Sequence, residues 1–184
     1  MNKNVYLELN KPSEFESDFV ITTTSTGEPL SYIFDERWDY SGIKKKAVGK
    51  KSWVSFTSIK PAYRKNIQRT LASIITSHTE KYKSSPSVNQ VKRWKSGLTL
   101  ISTALQNTNW ASIADDRVYS TFKKNLKSTV IRNQSSISVL DTAINAMNKL
   151  NEFDLCPRVI DGTEYREWSI RIKEQFIAIP IGIY

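Results

Sequence analysis

Four runs of apolar residues at steps of three and four, lying between Tyr63 and Leu150, constrain this chain more than any other feature. The first is Tyr63, Ile67, Leu71, Ile74, Ile75 and His78, and the second is Val91, Trp94, Leu98, Ile101 and Leu105. Val118, Tyr119, Phe122 and Leu126 make a third; Ile137, Leu140, Ile144, Met147 and Leu150 make a fourth. Such a stripe lines one side of an α-helix, which becomes stable only when another apolar surface covers it. Punctuation agrees with the stripes. Pro61 suits a first helical turn, Ser84-Ser85-Pro86-Ser87 ends in an N-cap, and Asp115-Asp116 supplies an acidic first turn. Asn133 to Ser136 separates the third and fourth runs. Gly97, inside the second helix, costs roughly 1 kcal/mol against Ala, so it signals close packing.

The flanks have a different rhythm. Val5–Leu9, Asp18–Thr23 and Leu30–Phe34 read as short strands, with a turn at Thr26-Gly27-Glu28-Pro29 joining one pair as a hairpin. A sheet that small must lean on something else. Beyond Pro157, Val159-Ile160-Asp161-Gly162 reads as a strand and tight turn, and Trp168, Ile170 and Ile172 alternate with Ser169, Arg171 and Lys173. The expected fold is α+β and mainly α: a small β segment with a basic loop over 1–52, a helical domain over 53–157, and a β hairpin over 158–184. The apolar run Phe176–Pro180, ending at Tyr184, reads as a chain cut partway through a larger protein.

Charge is unevenly spread. The chain carries +9, yet Lys44 to Lys95 holds fourteen cations and one acid, Glu80, for +13, whereas residues 1–43 carry −5. With 39% hydrophobic residues there is enough apolar material for a core, so this charge is displayed on a folded body. A basic face on packed helices is the electrostatic footprint of a nucleic-acid binder. The residues placed in phosphate contact are Lys60, Arg64, Lys65, Arg69, Lys92, Arg93, Lys123, Lys124 and Lys127, with a second group in the loop Lys44, Lys45, Lys46, Lys50 and Lys51. Cations of the first and third helices are expected to form one concave cradle for double-stranded DNA.

Other chemistry is thin. One cysteine and one histidine exclude an internal disulfide framework and a cysteine-based zinc site. No Gly-rich phosphate loop and no nucleophile–base pair is found, so no cofactor, metal or catalytic residue is assigned. Asp115 and Asp116 are read as a helix start, Cys156 as a small buried hydrophobe, His78 as a packed helix-end residue, and Trp53, Trp94 and Trp110 as core. No apolar run approaches the roughly 18 residues of a membrane span, and Met1-Asn2-Lys3-Asn4 has no apolar signal core. A cytoplasmic, nucleoid-associated location follows as the expectation, with no membrane partner.

The order of these features resembles the N-terminal half of the larger tyrosine recombinases, the phage-type integrases of bacterial mobile elements. Trp53-Val54-Ser55-Phe56-Thr57-Ser58-Ile59-Lys60-Pro61 with Tyr63-Arg64 is similar to the opening of that family's core-binding domain. Trp110-Ala111-Ser112-Ile113-Ala114-Asp115 is similar to the connector before its third helix, and Gln175–Pro180 to a segment preceding its catalytic domain. The resemblance spans about residues 50 to 180. It implies a four-helix, SAM-like module that grips one face of a DNA site, with other recombinase protomers as possible neighbours on the DNA. The family's catalytic set of two arginines, a His-x-x-Arg box and a tyrosine is not met. His78-Thr79-Glu80-Lys81 does not fit the box, and Tyr184 lacks the partners of a nucleophile. On this reading the chain alone is not an enzyme, although its parent would exchange DNA strands. The alternative is a non-enzymatic helical interaction module whose basic face docks an acidic protein or the chain's own acidic first segment.

Overall fold

A computed structural model describes residues 15–43, 52–132 and 137–177. The fold is α+β and mainly α, with five α-helices and two small antiparallel sheets among the described residues. The chain divides at Lys95 into two compact units, residues 1–95 and 96–184. The loop Lys44–Lys51 and the expected strand Val5–Leu9 lie outside the described residues.

In the first unit, β1 (Val20–Thr23) and β2 (Pro29–Tyr32) pair antiparallel, as the hairpin reading required. Their turn closes because Thr24 N–H donates to the Glu28 carbonyl at 2.7 Å while Glu28 N–H donates to Thr24 Oγ1 at 3.0 Å. Gly27 sits there at φ +89°, a conformation that side chains with a Cβ resist. β3 (Arg37–Asp39) pairs with β4 (Trp53–Ser55) in the register Arg37↔Ser55, Trp38↔Val54, Asp39↔Trp53. A short 3-10 turn, Ser41–Ile43, follows β3. Trp38 anchors the centre. Its ring is fully buried edge-on to Phe56, with centroids 4.6 Å apart, and its Nε1 donates to the Ile33 carbonyl at 3.1 Å. Each side chain of this size contributes roughly 1.5–3 kcal/mol by leaving water.

α1 (Pro61–Tyr82) begins on its proline and buries Ile67, Leu71 and Ile74. It stops at Lys83, which takes a left-handed conformation at φ 53°. Gln68, buried on the same helix, donates to the Asp35 carbonyl at 2.8 Å, which ties α1 to the β2–β3 turn. α2 (Val88–Leu105) opens with a reciprocal cap. Ser87 Oγ accepts Gln90 N–H at 3.3 Å and Gln90 Oε1 accepts Ser87 N–H at 2.8 Å. Val91 and Trp94 are buried, and the His78 ring lies 5.3 Å from the Trp94 ring.

In the second unit, the remainder of α2 buries Leu98, Ile101 and Leu105. A Cβ on Gly97 would meet the Ala146 Cβ and lie 2.5 Å from the Thr142 carbonyl oxygen, so the packing role assigned to this glycine is correct. The connector Trp110–Ala114 is a 3-10 helix with Trp110 and Ile113 buried. Asp115 then caps α3 (Asp116–Arg132): its Oδ1 accepts N–H from Arg117 at 2.8 Å and from Val118 at 3.1 Å. α3 buries Phe122, Leu126 and Val130; α4 (Ile137–Glu152) buries Leu140, Ala143, Ala146, Met147 and Leu150. All four expected helices are present.

Among the described residues of 158–184, the expected β hairpin is not. Residues Gly162–Ile177 form a fifth helix, α5. Asp161 is the reason at its start, since its Oδ1 accepts N–H from Thr163 at 2.7 Å and from Glu164 at 2.9 Å. Asp-Gly here is a helix cap and first position, and not a turn between strands. Trp168 and Ile172, four apart, fall on one helical face and are 4% and 2% exposed. Ile170, the member that made the pattern look alternating, is 56% exposed.

Candidate nucleic-acid interface

The charge belongs to one unit. Residues 1–95 hold 17 of the 27 lysines and arginines and nine of the 18 acids, a net +8; residues 96–184 hold ten against nine, a net +1.

On α1 the cations sit around the β2–β3 turn. Lys65 Nζ and Arg69 Cζ lie 5.4 and 5.2 Å from the Phe34 ring centroid, one helical turn apart on the same ring. Each contact contributes on the order of 0.5–1 kcal/mol at an exposed site. A π-face attracts a cation without neutralising it, so both groups keep their charge for an anion. Lys60 lies 5.7 Å from the Tyr63 ring and is exposed. Arg64 differs: its NH1 is 3.9 Å from Glu36, and its NH2 points to the Thr57 and Ile59 carbonyls at 3.4 and 3.5 Å. It serves the turn before α1 as much as any ligand.

On α2, Arg93 is exposed and without a partner among the described residues, and Lys92 is half-buried. Lys95, absent from the sequence-derived site, donates to the Ser55 carbonyl at 3.0 Å. Burial, and then the Lys92 ammonium, push its pKa down. That makes it a strap between α2 and β4.

The second unit treats its lysines otherwise. Lys123 Nζ is 2.5 Å from Glu164 Oε1, and Lys127 Nζ is 3.2 Å from Glu167 Oε1, which also takes Arg171 at 3.0 Å. Glu164 and Glu167 are three apart on α5, the spacing that puts both carboxylates on the side facing α3. The hydrogen bond to Glu164 raises the Lys123 pKa against the cost of its burial. Lys124 is exposed and without a partner among the described residues. Arg158 pairs with Asp116 at 2.6 Å and lies 5.0 Å from the Tyr119 ring. Reading 158–184 as strands hid these pairings, because the two glutamates share a face only in a helix.

The remaining candidates have plain roles. Asp115 is a cap and Asp116 an ion-pair partner, and no group of His, Cys, Asp and Glu among the described residues could hold a metal ion. Cys156 is buried, with its thiol pushed up by desolvation and donating to the Arg158 carbonyl. Trp94 and Trp110 are core, as expected; Trp53 is 48% exposed and is not. No described helix is long and apolar enough to cross a membrane. Comparison with protein-family models, with curated proteins and with solved structures finds no match to this chain.

Proposed function

We propose that the chain is a DNA-binding module whose grip lies in residues 1–95. Lys60, Lys65 and Arg69 of α1 and Arg93 of α2 would contact backbone phosphates, with the Lys44–Lys51 loop as an added basic arm. The observation that carries this reading is the segregation of charge, +8 against +1, between two units of similar size. The four helices from Pro61 to Glu152 stand in the order that the core-binding part of a tyrosine recombinase implies. We therefore take the module as a SAM-like bundle serving DNA integration and recombination, nucleoid-associated through its partner. With the loop counted, seven lysines stand against two arginines among these residues, so phosphate contact dominates over base reading.

Four phosphates neutralised give a log–log salt slope of about −3.6, or roughly a 150-fold loss of duplex affinity between 50 and 200 mM salt. Fluorescence anisotropy with a labelled duplex measures it. Absence of duplex binding at 50 mM salt, or binding indifferent to salt, rejects the reading.

Docking of an acidic protein is the second reading, favoured by Glu36 lying 3.9 Å from Arg64, a carboxylate already at the α1 row. Under it, an acidic polypeptide displaces duplex or binds where duplex does not.

A further inference from the structure

The β3–β4 ribbon has one face inside and one outside. Its register places Trp38 and Val54 together on the inner face, both 0% exposed. Arg37, Asp39, Trp53 and Ser55 alternate onto the outer face. Of the five tryptophans, Trp38, Trp94, Trp110 and Trp168 are at most 4% exposed, whereas Trp53 is 48% exposed. Its ring is not bare of chemistry, because the Arg37 guanidinium carbon lies 5.3 Å from its centroid. The neighbouring Asp39 carboxylate is engaged in its own turn, with Oδ1 accepting Ser41 N–H at 2.8 Å. Lys95 reaches the Ser55 carbonyl at the other end of the ribbon, at 3.0 Å. Strand propensity alone does not require an indole at this position, since a β-branched residue serves a solvent-facing strand site equally well.

We propose that Trp53, with Arg37 against it, is a stacking platform for an unpaired base of single-stranded DNA. This inference rests on the reading of residues 1–95 as a nucleic-acid grip and adds a second mode to it. An aromatic ring beside a guanidinium suits that ligand. Every base has a π-face that stacks on an indole, and the adjacent cation complements the phosphate that travels with the base. Duplex DNA keeps its bases stacked on one another and cannot use the ring, so the platform favours frayed, bubbled or single-stranded segments beside the duplex site.

With four indoles sealed, DNA-induced quenching of tryptophan emission reports Trp53. An oligothymidylate of about 12 nucleotides, a length suited to single-strand sites, is titrated into the full chain, and a duplex is titrated in parallel. The proposal expects saturable quenching by the single strand. It expects Trp53→Val to lose that quenching and roughly 5- to 150-fold of single-strand affinity, while duplex affinity stays within about twofold, as phosphate contacts are untouched. Unchanged single-strand affinity in Trp53→Val overturns it. Should Trp53→Val lose native circular dichroism, Trp53→Thr, a strand former without a ring, decides: a several-fold loss of single-strand affinity supports the platform, and no loss overturns it. Emission that shifts with protein concentration alone, without DNA, overturns it in favour of a second copy of the chain. Duplex binding together with emission that the single strand leaves unmoved rejects the platform only; no binding of either DNA rejects the grip beneath it.

Discussion

Under the proposed function, replacing cations on α1 and on α3 separates one that meets phosphate from one that holds the protein together. Lys65→Gln with Arg69→Gln removes two charges that rest on Phe34 and have no ion pair among the described residues. At about 0.9 per phosphate, the salt slope of duplex binding flattens by about 1.8. The drop in affinity from 50 to 200 mM salt then shrinks from roughly 150-fold to roughly 12-fold. Lys123→Gln with Lys127→Gln removes the same nominal charge from α3, but those groups are already held by Glu164 and Glu167. Their loss leaves the slope within about 0.3 of the parent's by the same counterion relation. It does cost stability. Lys123 and Glu164 are each 26% exposed at 2.5 Å, so this pair stands near the upper end of the 0–1 kcal/mol range for such contacts. The Lys127 pair, with Glu167 51% exposed and shared with Arg171, stands lower. Together about 1–1.5 kcal/mol is lost, or a few degrees in Tm for a chain of this size. Melting alone does not discriminate, because Lys65 and Arg69 also give up their contacts with Phe34. The slope does. Equal flattening by both pairs of substitutions would refute the assignment of the grip to residues 1–95.

Two further outcomes follow from the packing. Gly97→Ala gains about 1 kcal/mol of helix propensity but drives a methyl into Ala146 and the Thr142 carbonyl, which is backbone and cannot swing away. Overpacking of that kind costs about 1–3 kcal/mol, so a lower Tm is expected, and a rise would show that α2 and α4 separate easily. The Asp161 carboxyl is held below its ordinary pKa by N–H groups of Glu164 and Thr163. A depressed carboxyl stabilises above its unfolded pKa and loses that contribution as pH falls through the folded one. Asp161→Ala is therefore less stable than the parent at pH 7, and thermal melts should show the gap closing below about pH 4; a gap constant with pH would reject the capping account.

Much of the helical body was legible because several signals agreed at each place. The stripe from Ile67 to Ile74 began behind Pro61, and Ser87, read as an N-cap, is one; its reciprocal partner Gln90 appears only in the structure. Gly97 announced the approach of another helix before any partner was known. α5 was misread because Trp168 and Ile172 satisfy two periods at once: four residues is one helical turn and also two strand repeats. Ile170 makes the alternation look continuous, but at 56% exposure it lies off the buried face of the helix. With α5 missing, the partners of Lys123 and Lys127 could not be seen. Tryptophan is highly buried on average, which makes Trp53 read as core, although alternation along β4 puts Val54 and Phe56 inward and Trp53 outward.

Trp38 decides how this protein can be taken apart. It belongs to the acidic opening stretch, yet its indole fills the space beside Phe56 and clips onto the Ile33 carbonyl. A shortened protein starting after residue 43 would leave β4 without its partner strand and open the floor beneath α1 to water. Residues 15–43 are a keystone of the first unit and not a removable sheath, so trimming them would cost stability before it unmasked the basic helices.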